Sequence, residues 1–414
     1  MNLKIISCYL MMSVALIGCS SMKRSGAPAG EMSPAPSPSK PNSETPCLFT
    51  GPDGTVYLSW IQRSENKTSL NFASLRHGRW SKPKVIASGD SWFVNWADYP
   101  MIAANRKQLV AHFLDRNGDG SYAYDIKLTT SHDNGKTWRA PSVLHDDKKQ
   151  AEHGFVTLLP YGNNFFATWL DGRNTLMENP AGSNLHEGHR GAMSLRAAVI
   201  DAQGNKLDEW ELDKRTCDCC QTTAAITKRG PVVIYRDRSD TEVRDLSIVR
   251  LEGGRWTEPQ CIHEDHWKIA GCPVNGPRVA VEGNTLAVAW FTGASGNSRV
   301  NVMFSADGGI TFDQPIRVDE GNAVGRVDVE LLDNRTAVVS WMESGLIKIA
   351  KVHADGAKEW ALKIDSSSGS RSSGFPQMTK SGNSLILAWT DEDEKNIKVA
   401  TVSLGQSSRA VTHR

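Results

Sequence analysis

The sequence predicts an all-β protein, a β-propeller of four-stranded antiparallel blades, and three observations carry that expectation. A short apolar strand closed by an aromatic residue recurs seven times, roughly 50 to 65 residues apart. A weaker strand and a turn precede each copy, and a third strand follows it. No stretch of any length shows helical periodicity. A ring of repeated sheets also accounts for a chain of 414 residues, which exceeds one ordinary domain unless it is built from repeats.

The copies run in order as VYLSW ending at Trp60, LVAHF at Phe113, FFATW at Trp169, PVVIY at Tyr235, LAVAW at Trp290, AVVSW at Trp341 and LILAW at Trp389. Each reads as the second strand of a blade. The count favours seven blades, with six the alternative. Six units continue into a fourth strand, such as KPKVIAS or QPIRVDE, while the last stops after its third, near Ser403. Its outer strand is either absent or supplied by the segment before Cys47, which would close the ring.

The ends are different in kind. Ile5 to Ile17 is an apolar run behind Lys4, too short to cross a membrane and shaped like a secretory signal. It ends in Leu16-Ile17-Gly18-Cys19, which resembles a bacterial lipobox with Cys19 as the lipidated residue. We therefore expect a signal over 1–18, a lipidated Ser/Pro-rich tether over 19–45, the propeller over 46–406 and a disordered tail over 407–414. That places the chain in the cell envelope, tied to a membrane by lipid, in the outer membrane if the source is Gram-negative. The formal net charge of +1 gives no reason to expect nucleic acid as a partner.

Third-to-fourth-strand turns carry a further pattern. Residues 131–138 read SHDNGKTW and 305–312 read SADGGITF. Ser131, Asp133, Gly135 and Trp138 recur as Ser305, Asp307, Gly309 and Phe312. The Asp can accept backbone N–H groups, the Gly can take a positive φ, and the aromatic can pack on the sheet. Weaker copies end at Trp80, Trp256 and Trp360. The pattern resembles the Asp-box, or BNR repeat, of sialidase-like propellers, and with the lipobox the chain resembles a bacterial sialidase-like lipoprotein over about residues 47–405.

Such a ring has two faces. The patterned turns lie on one; second-to-third loops and blade-to-blade links lie on the other, around the channel mouth where ligands of propellers bind. Of thirteen tryptophans, ten fall at second strands or turns. Trp92, Trp96 and Trp267 stand instead in links at the mouth, where they could stack on a sugar or plug the channel. Asp98, Asp115, Asp171, Arg173, Arg236, Asp237, Arg238 and Arg326 point to the same mouth, and Arg278 lies on the inner strand of blade 5. Arginines gathered there suggest an anionic ligand, or ion pairs that brace the blades. His186 and His189 sit in the longest second-to-third loop. Asp115 to Gly120 matches the first half of a calcium loop, but its twelfth position is Ile126.

The family resemblance implies a sialidase-type site. Arg173, Arg236 and Arg326 would be an arginine triad for a substrate carboxylate, and Asp98 the general acid. The family's first-strand arginine motif is missing, because that position reads ETPCLFTGPDG. Three functions remain open: an exo-acting glycosidase, a glycan- or protein-binding propeller without catalysis, and a Cys/His metal-binding propeller. The ligand is a glycan or another anionic small molecule.

Cysteines sharpen the last alternative. Of eight, Cys8 lies in the signal and Cys19 at the lipobox. The stretch RTCDCCQTT places Cys217, Cys219 and Cys220 in the link from blade 3 to blade 4, and Cys272 stands at the equivalent place one blade on. An even number in an exported chain favours a disulfide staple between blades 4 and 5. The other reading is a thiolate metal or redox cluster. Calcium and a thiolate-bound metal are the cofactors the sequence admits.

Overall fold

The computed structural model describes residues 29–65, 67–175 and 191–405. The signal, Cys19, His186, His189 and the 407–414 tail lie outside the described residues. Seven antiparallel sheets form the structure, so the seven-blade reading holds over six. The inner strand of each blade packs on that of the next, and blade 7 packs on blade 1. The inner strands are Ser43–Thr50, Ile102–Asn105, His153–Tyr161, Thr223–Thr227, Arg278–Glu282, Ala323–Asp333 and Gln377–Ser381.

Blade 7 is completed from the other end of the chain. Met32–Ala35 pairs antiparallel with the third strand, Asn396–Ser403, in the register Met32 to Val402 and Ala35 to Val399. The tether expected over 19–45 is therefore corrected: 32–35 and 43–45 belong to strands. The segment MSPA shows no apolar alternation, and an outermost edge strand needs none. It also tolerates Pro34, because an edge has unpaired N–H positions to lose.

Second strands are apolar on both faces because each lies inside a blade between two neighbouring blades. Trp60, Trp169, Trp290 and Trp341 are at most 1% exposed. A side chain of this size contributes roughly 1.5–3 kcal/mol on burial. Three of these indoles also satisfy their N–H groups. Trp169 donates to Asp171 at 3.0 Å, Trp290 to Asp265 at 2.8 Å and Trp341 to Glu343 at 2.7 Å.

The S-x-D-x-G-x-T turns are internally satisfied. Asp133 accepts the N–H groups of Lys136 and Thr137, both at 2.9 Å, and the hydroxyls of Thr137 and Ser131 at 2.8 Å. Asp307 repeats the set with Ile310, Thr311 and Ser305. Gly135 has φ +71°, and a Cβ there would lie 2.3 Å from Phe72 of blade 1; Gly309 has φ +83° and faces Ile248 of blade 4 at 2.6 Å. Each turn thus presses on the third strand of the preceding blade. Trp138 meets Phe72 edge-on at 6.0 Å.

At the mouth end, three inner strands carry irregular register: Glu44 to Cys47, Gly154 to Thr157 and Gly325 to Asp328. Each contains a non-glycine residue with left-handed backbone, Thr45, Phe155 and Arg326. Such bulges re-aim the chain where strands enter the channel rim.

Candidate functional site

The arginines named from sequence do not converge on one point. Arg236 is 1% exposed. It donates to the carbonyls of Asn275 at 3.1 Å, Arg244 at 2.6 Å and Phe291 at 2.7 Å. Arg326 donates to Ser373 Oγ and to the carbonyls of Gly374 and Ser370. Burial brings its guanidinium down to about 10. Arg173 grips Asp171 through Nε at 2.8 Å and Nη2 at 2.9 Å. The proposed triad is therefore used up in bracing links and blades.

Arg278 lies inside the channel, bound to Asp328 at 3.1 Å and donating to the Tyr99 hydroxyl at 2.9 Å. Asp237 accepts the Ser247 hydroxyl and the Arg238 N–H. Among the expected aromatics, Trp92 stacks on Phe113 at 4.2 Å and Trp267 is packed edge-on against Phe291. Trp96 faces the mouth, with Phe375 at 5.8 Å and Arg326 over its ring at 4.9 Å. The half calcium loop brings no three acidic or histidine ligands together among the described residues. Asp115 instead accepts the Ser91 hydroxyl at 2.6 Å.

A pocket of about 620 Å³ does open at the mouth, lined by Phe93, Trp96, Tyr122, Glu152, Asp218 and Arg371 among others. Cys219, Cys272 and Arg238 stand on the same wall. Glu152 is its most unusual group. The Tyr124 hydroxyl, wholly buried, donates to Glu152 Oε1 at 2.8 Å. Burial pushes the Glu152 carboxyl up to about 8, against the pull of that hydrogen bond, and the nearby Asp98 adds to the rise. Glu152 therefore carries a proton at neutral pH.

Asp98 stands behind this pair. Its Oδ2 accepts the Phe155 N–H at 2.8 Å and so holds the left-handed residue of the blade 3 bulge. Burial raises its carboxyl to about 7, and the Phe155 bond opposes the shift. Gly154 must be glycine here, since a Cβ would lie 2.0 Å from that Asp98 oxygen. Asp98 was expected as the acid; the structure makes it the pin of the strand entry that carries Glu152. Glu152 was not singled out from sequence, yet a signal existed. It stands in the link QAEHGF, the equivalent one blade on of the link WADYP that carries Asp98.

A second polar cluster backs the Tyr124–Glu152 pair at the junction of blades 2 and 3. The His145 and His153 rings stack in parallel with centroids 3.6 Å apart. His153 Nδ1 faces the carbonyls of Tyr124 at 3.2 Å and Ala151 at 3.1 Å, so it carries a hydrogen. Its Nε2 faces Asp147 at 3.2 Å and Asp171 at 3.6 Å. Both edges call for a proton. Burial opposes the charge, but the Asp147 hydrogen bond and the Asp171 carboxylate hold the His153 pKa above its ordinary value. Asp147 is held well below the usual carboxylate range by both imidazoles despite its burial. Asp125, His145 and His153, and Asp147, His153 and Asp171, each bring donor atoms within 4.8 Å, as a metal would require.

The third cluster is sulfur. Cys217 and Cys220 are buried, with their Sγ atoms 3.4 Å apart. Cys217, Cys219 and Cys220 hold their sulfurs within 4.8 Å of one another. No S–S bond joins any of the six described cysteines, Cys47 and Cys261 included.

No family model and no curated relative matches the sequence. Solved structures do resemble it in shape. An α-L-arabinofuranosidase from Fusarium graminearum aligns over 91% of this chain and 98% of its own, at 11% identity and a TM-score of 0.50. A puromycin-hydrolysing peptidase from Mycobacterium tuberculosis aligns over 92% of this chain, also at 11% identity and 0.50, though this chain spans 55% of that structure. An ulvan lyase aligns over 75% of this chain and 78% of its own, at 13% identity and 0.49. Similar structures also include sialidases and an arabinanase. At these identities the likeness establishes the propeller fold alone.

Proposed function

We propose that the chain is a glycan-active propeller, which holds a sugar chain in the mouth pocket and delivers a proton to it from Glu152. One observation carries the reading. A carboxyl that stays protonated near neutral pH stands in a pocket walled by Phe93, Trp96 and Tyr122. Tyr124 donates to Oε1. With Oε1 accepting that bond, we assign the Glu152 proton to Oε2. A proton placed there can pass to a glycosidic oxygen as its bond breaks. Asp218, fixed by Arg238 at 2.7 Å, is the second carboxyl on the wall and suits a cationic sugar transition state. The aromatic rings offer faces for sugar rings.

Several observations shape this reading. One similar solved structure, the arabinofuranosidase, has a name that states action on a glycan. A sialidase-type arginine triad has no support, since Arg173, Arg236 and Arg326 are engaged elsewhere. Recognition of an acidic group would fall to Arg371, which lies over the Trp96 ring at 5.9 Å and makes no ion pair among the described residues. The N-terminal signal-like run and Cys19 support a lipid-anchored place in the cell envelope. Cys19→Ala should release the chain from the membrane fraction; persistence there would contradict the anchor.

The test is a panel of polysaccharides and aryl glycosides, read by new reducing ends. We expect turnover of at least one glycan, with Glu152→Gln slower by about 10²–10⁴-fold and binding retained. Binding without turnover by the wild-type chain would replace this reading with a non-catalytic glycan binder. Neither binding nor turnover would remove the glycan altogether.

A further inference from the structure

We infer that Cys217, Cys219 and Cys220 form a binding site for a thiophilic d10 metal ion, Zn²⁺ or Cu⁺, on the wall of the mouth pocket. This goes beyond the glycan reading and does not depend on it.

The turn that carries these residues has the geometry of a ligand loop. It follows the outer strand of blade 3, Lys206–Thr216, and precedes the inner strand of blade 4, Thr223–Thr227. The Cys217 N–H is fixed to the Arg236 carbonyl at 3.1 Å. Asp218 is turned outward to Arg238 and to the Met193 N–H. The sulfurs on either side of it are thereby left together, within 4.8 Å of one another. Thiolates bound at ~2.3 Å to a tetrahedral ion stand ~3.8 Å apart, so the three sulfurs need only small side-chain adjustments. Cys272, at the pocket wall beside Cys219, is placed to add a fourth thiolate in the Zn²⁺ case. Cu⁺ would be satisfied by three. The donor set is all sulfur, which selects soft ions over calcium or magnesium.

Charge supplies the second, independent observation. Arg236 and Arg244 are 1% and 3% exposed. Both act electrostatically on the cluster, Arg236 on Cys220 and Arg244 on Cys217. Arg236 has carbonyl oxygens and the face of the Trp267 ring as partners, and no carboxylate within ion-pair distance among the described residues. Arg244 pairs through Nη2 with Glu242 at 2.6 Å, while its Nε is buried without a hydrogen-bond partner. A buried guanidinium without a counter-ion, as at Arg236, is costly. Three thiolates around Zn²⁺ carry a net charge of −1 and around Cu⁺ −2, so a metal–thiolate centre supplies the missing negative charge. A pair of disulfides would supply none.

The experiment uses the full chain, reduced without oxygen, stripped of metal and refilled separately with Zn²⁺ and Cu⁺. Mass spectrometry of elements gives the stoichiometry, and Co²⁺ loading reports thiolate ligation through its charge-transfer band. We expect one ion per chain and a thiolate band. Both should be lost in Cys217→Ser and Cys220→Ser, and both kept in Cys261→Ser, whose thiol lies apart. Cys219→Ser, at a half-exposed position, should weaken binding at least tenfold in a chain that still folds. The arm with the higher affinity against a chelator identifies the ion. The inference is overturned if the reduced wild-type chain takes up no more metal than Cys217→Ser. It is equally overturned if the isolated chain is lighter by a pair of hydrogens per bond and, once reduced, shows no Co²⁺ band. Glu152→Gln should keep full metal occupancy, so failure of the glycan reading and failure of this one are distinguishable.

Discussion

The two faces of the ring treat the same chemical group in opposite ways. On the turn face, Asp307 is surrounded by N–H and O–H donors, and its carboxyl is held down to about 2 by the Thr311 bonds despite some burial. On the mouth face, Glu152 and Asp98 have one protein donor each and little water, and burial drives them up to about 8 and about 7. The turn carboxylates are finished hydrogen-bonding units that serve folding. The mouth carboxyls are held by burial in a state that bulk water would not allow, and the proposed function gives the Glu152 proton a use.

The sharpest way to break the comparison is steric. Gly154→Ala puts a Cβ against the Asp98 carboxylate, and we expect a loss of about 3 kcal/mol or more in chemical denaturation. Gly162→Ala, in open space but with φ +59°, should cost about 1 kcal/mol. Equal losses at both sites would deny Asp98 its pinning role.

Next comes the pH dependence of stability. Asp98 has a folded pKa of about 7, above its unfolded value of about 4. Its stabilising contribution is thus present below pH ~4 and lost as pH rises towards ~7. Asp98→Asn should remove that fall, worth a few kcal/mol, and leave a chain at least as stable as wild type at pH 8. Unfolding midpoints measured between pH 4 and pH 8 check this. Asp307 runs the other way: its folded pKa lies below the unfolded one, so its contribution is present above pH ~4 and lost as pH falls through ~2.

Smaller still is the turn itself. Asp307→Ala removes acceptors for Ile310 and Thr311, and should lower stability by about 1–2 kcal/mol with metal binding and turnover unchanged. His153 adds an opposing limb at the mouth. Its folded pKa is raised, so the stability it lends is complete below its unfolded pKa and disappears as pH climbs through the folded one. His153→Gln should flatten the alkaline side of the stability profile.

The ring was legible in the sequence because its signal is carried by buried second strands, where both faces must be apolar. The closing strand was legible only as one of two alternatives, supply from the segment before Cys47, because MSPA at an outer edge needs no pattern. From sequence, Arg236 and Arg326 were expected on the mouth face. Their fate was not readable, because carbonyl partners such as those of Phe291 and Ser370 come from other blades and leave no mark in side-chain type. The Tyr124–Glu152 pair was missed for the same reason. One residue starts the third strand of blade 2 and the other lies in the link to blade 3, and only the packed structure brings them to 2.8 Å. The cysteines were visible at once, but their pairing state depends on distances that spacing alone does not give.

The protonation of Glu152 is the point on which the account turns, and it can be observed directly. In protein labelled with ¹³C at the glutamate carboxyls, one resonance should titrate near pH 8 and vanish in Glu152→Gln, while the exposed glutamates titrate in their ordinary range. If every glutamate is ionised by pH 6, the mouth holds no proton to give, and the proposed function fails with it.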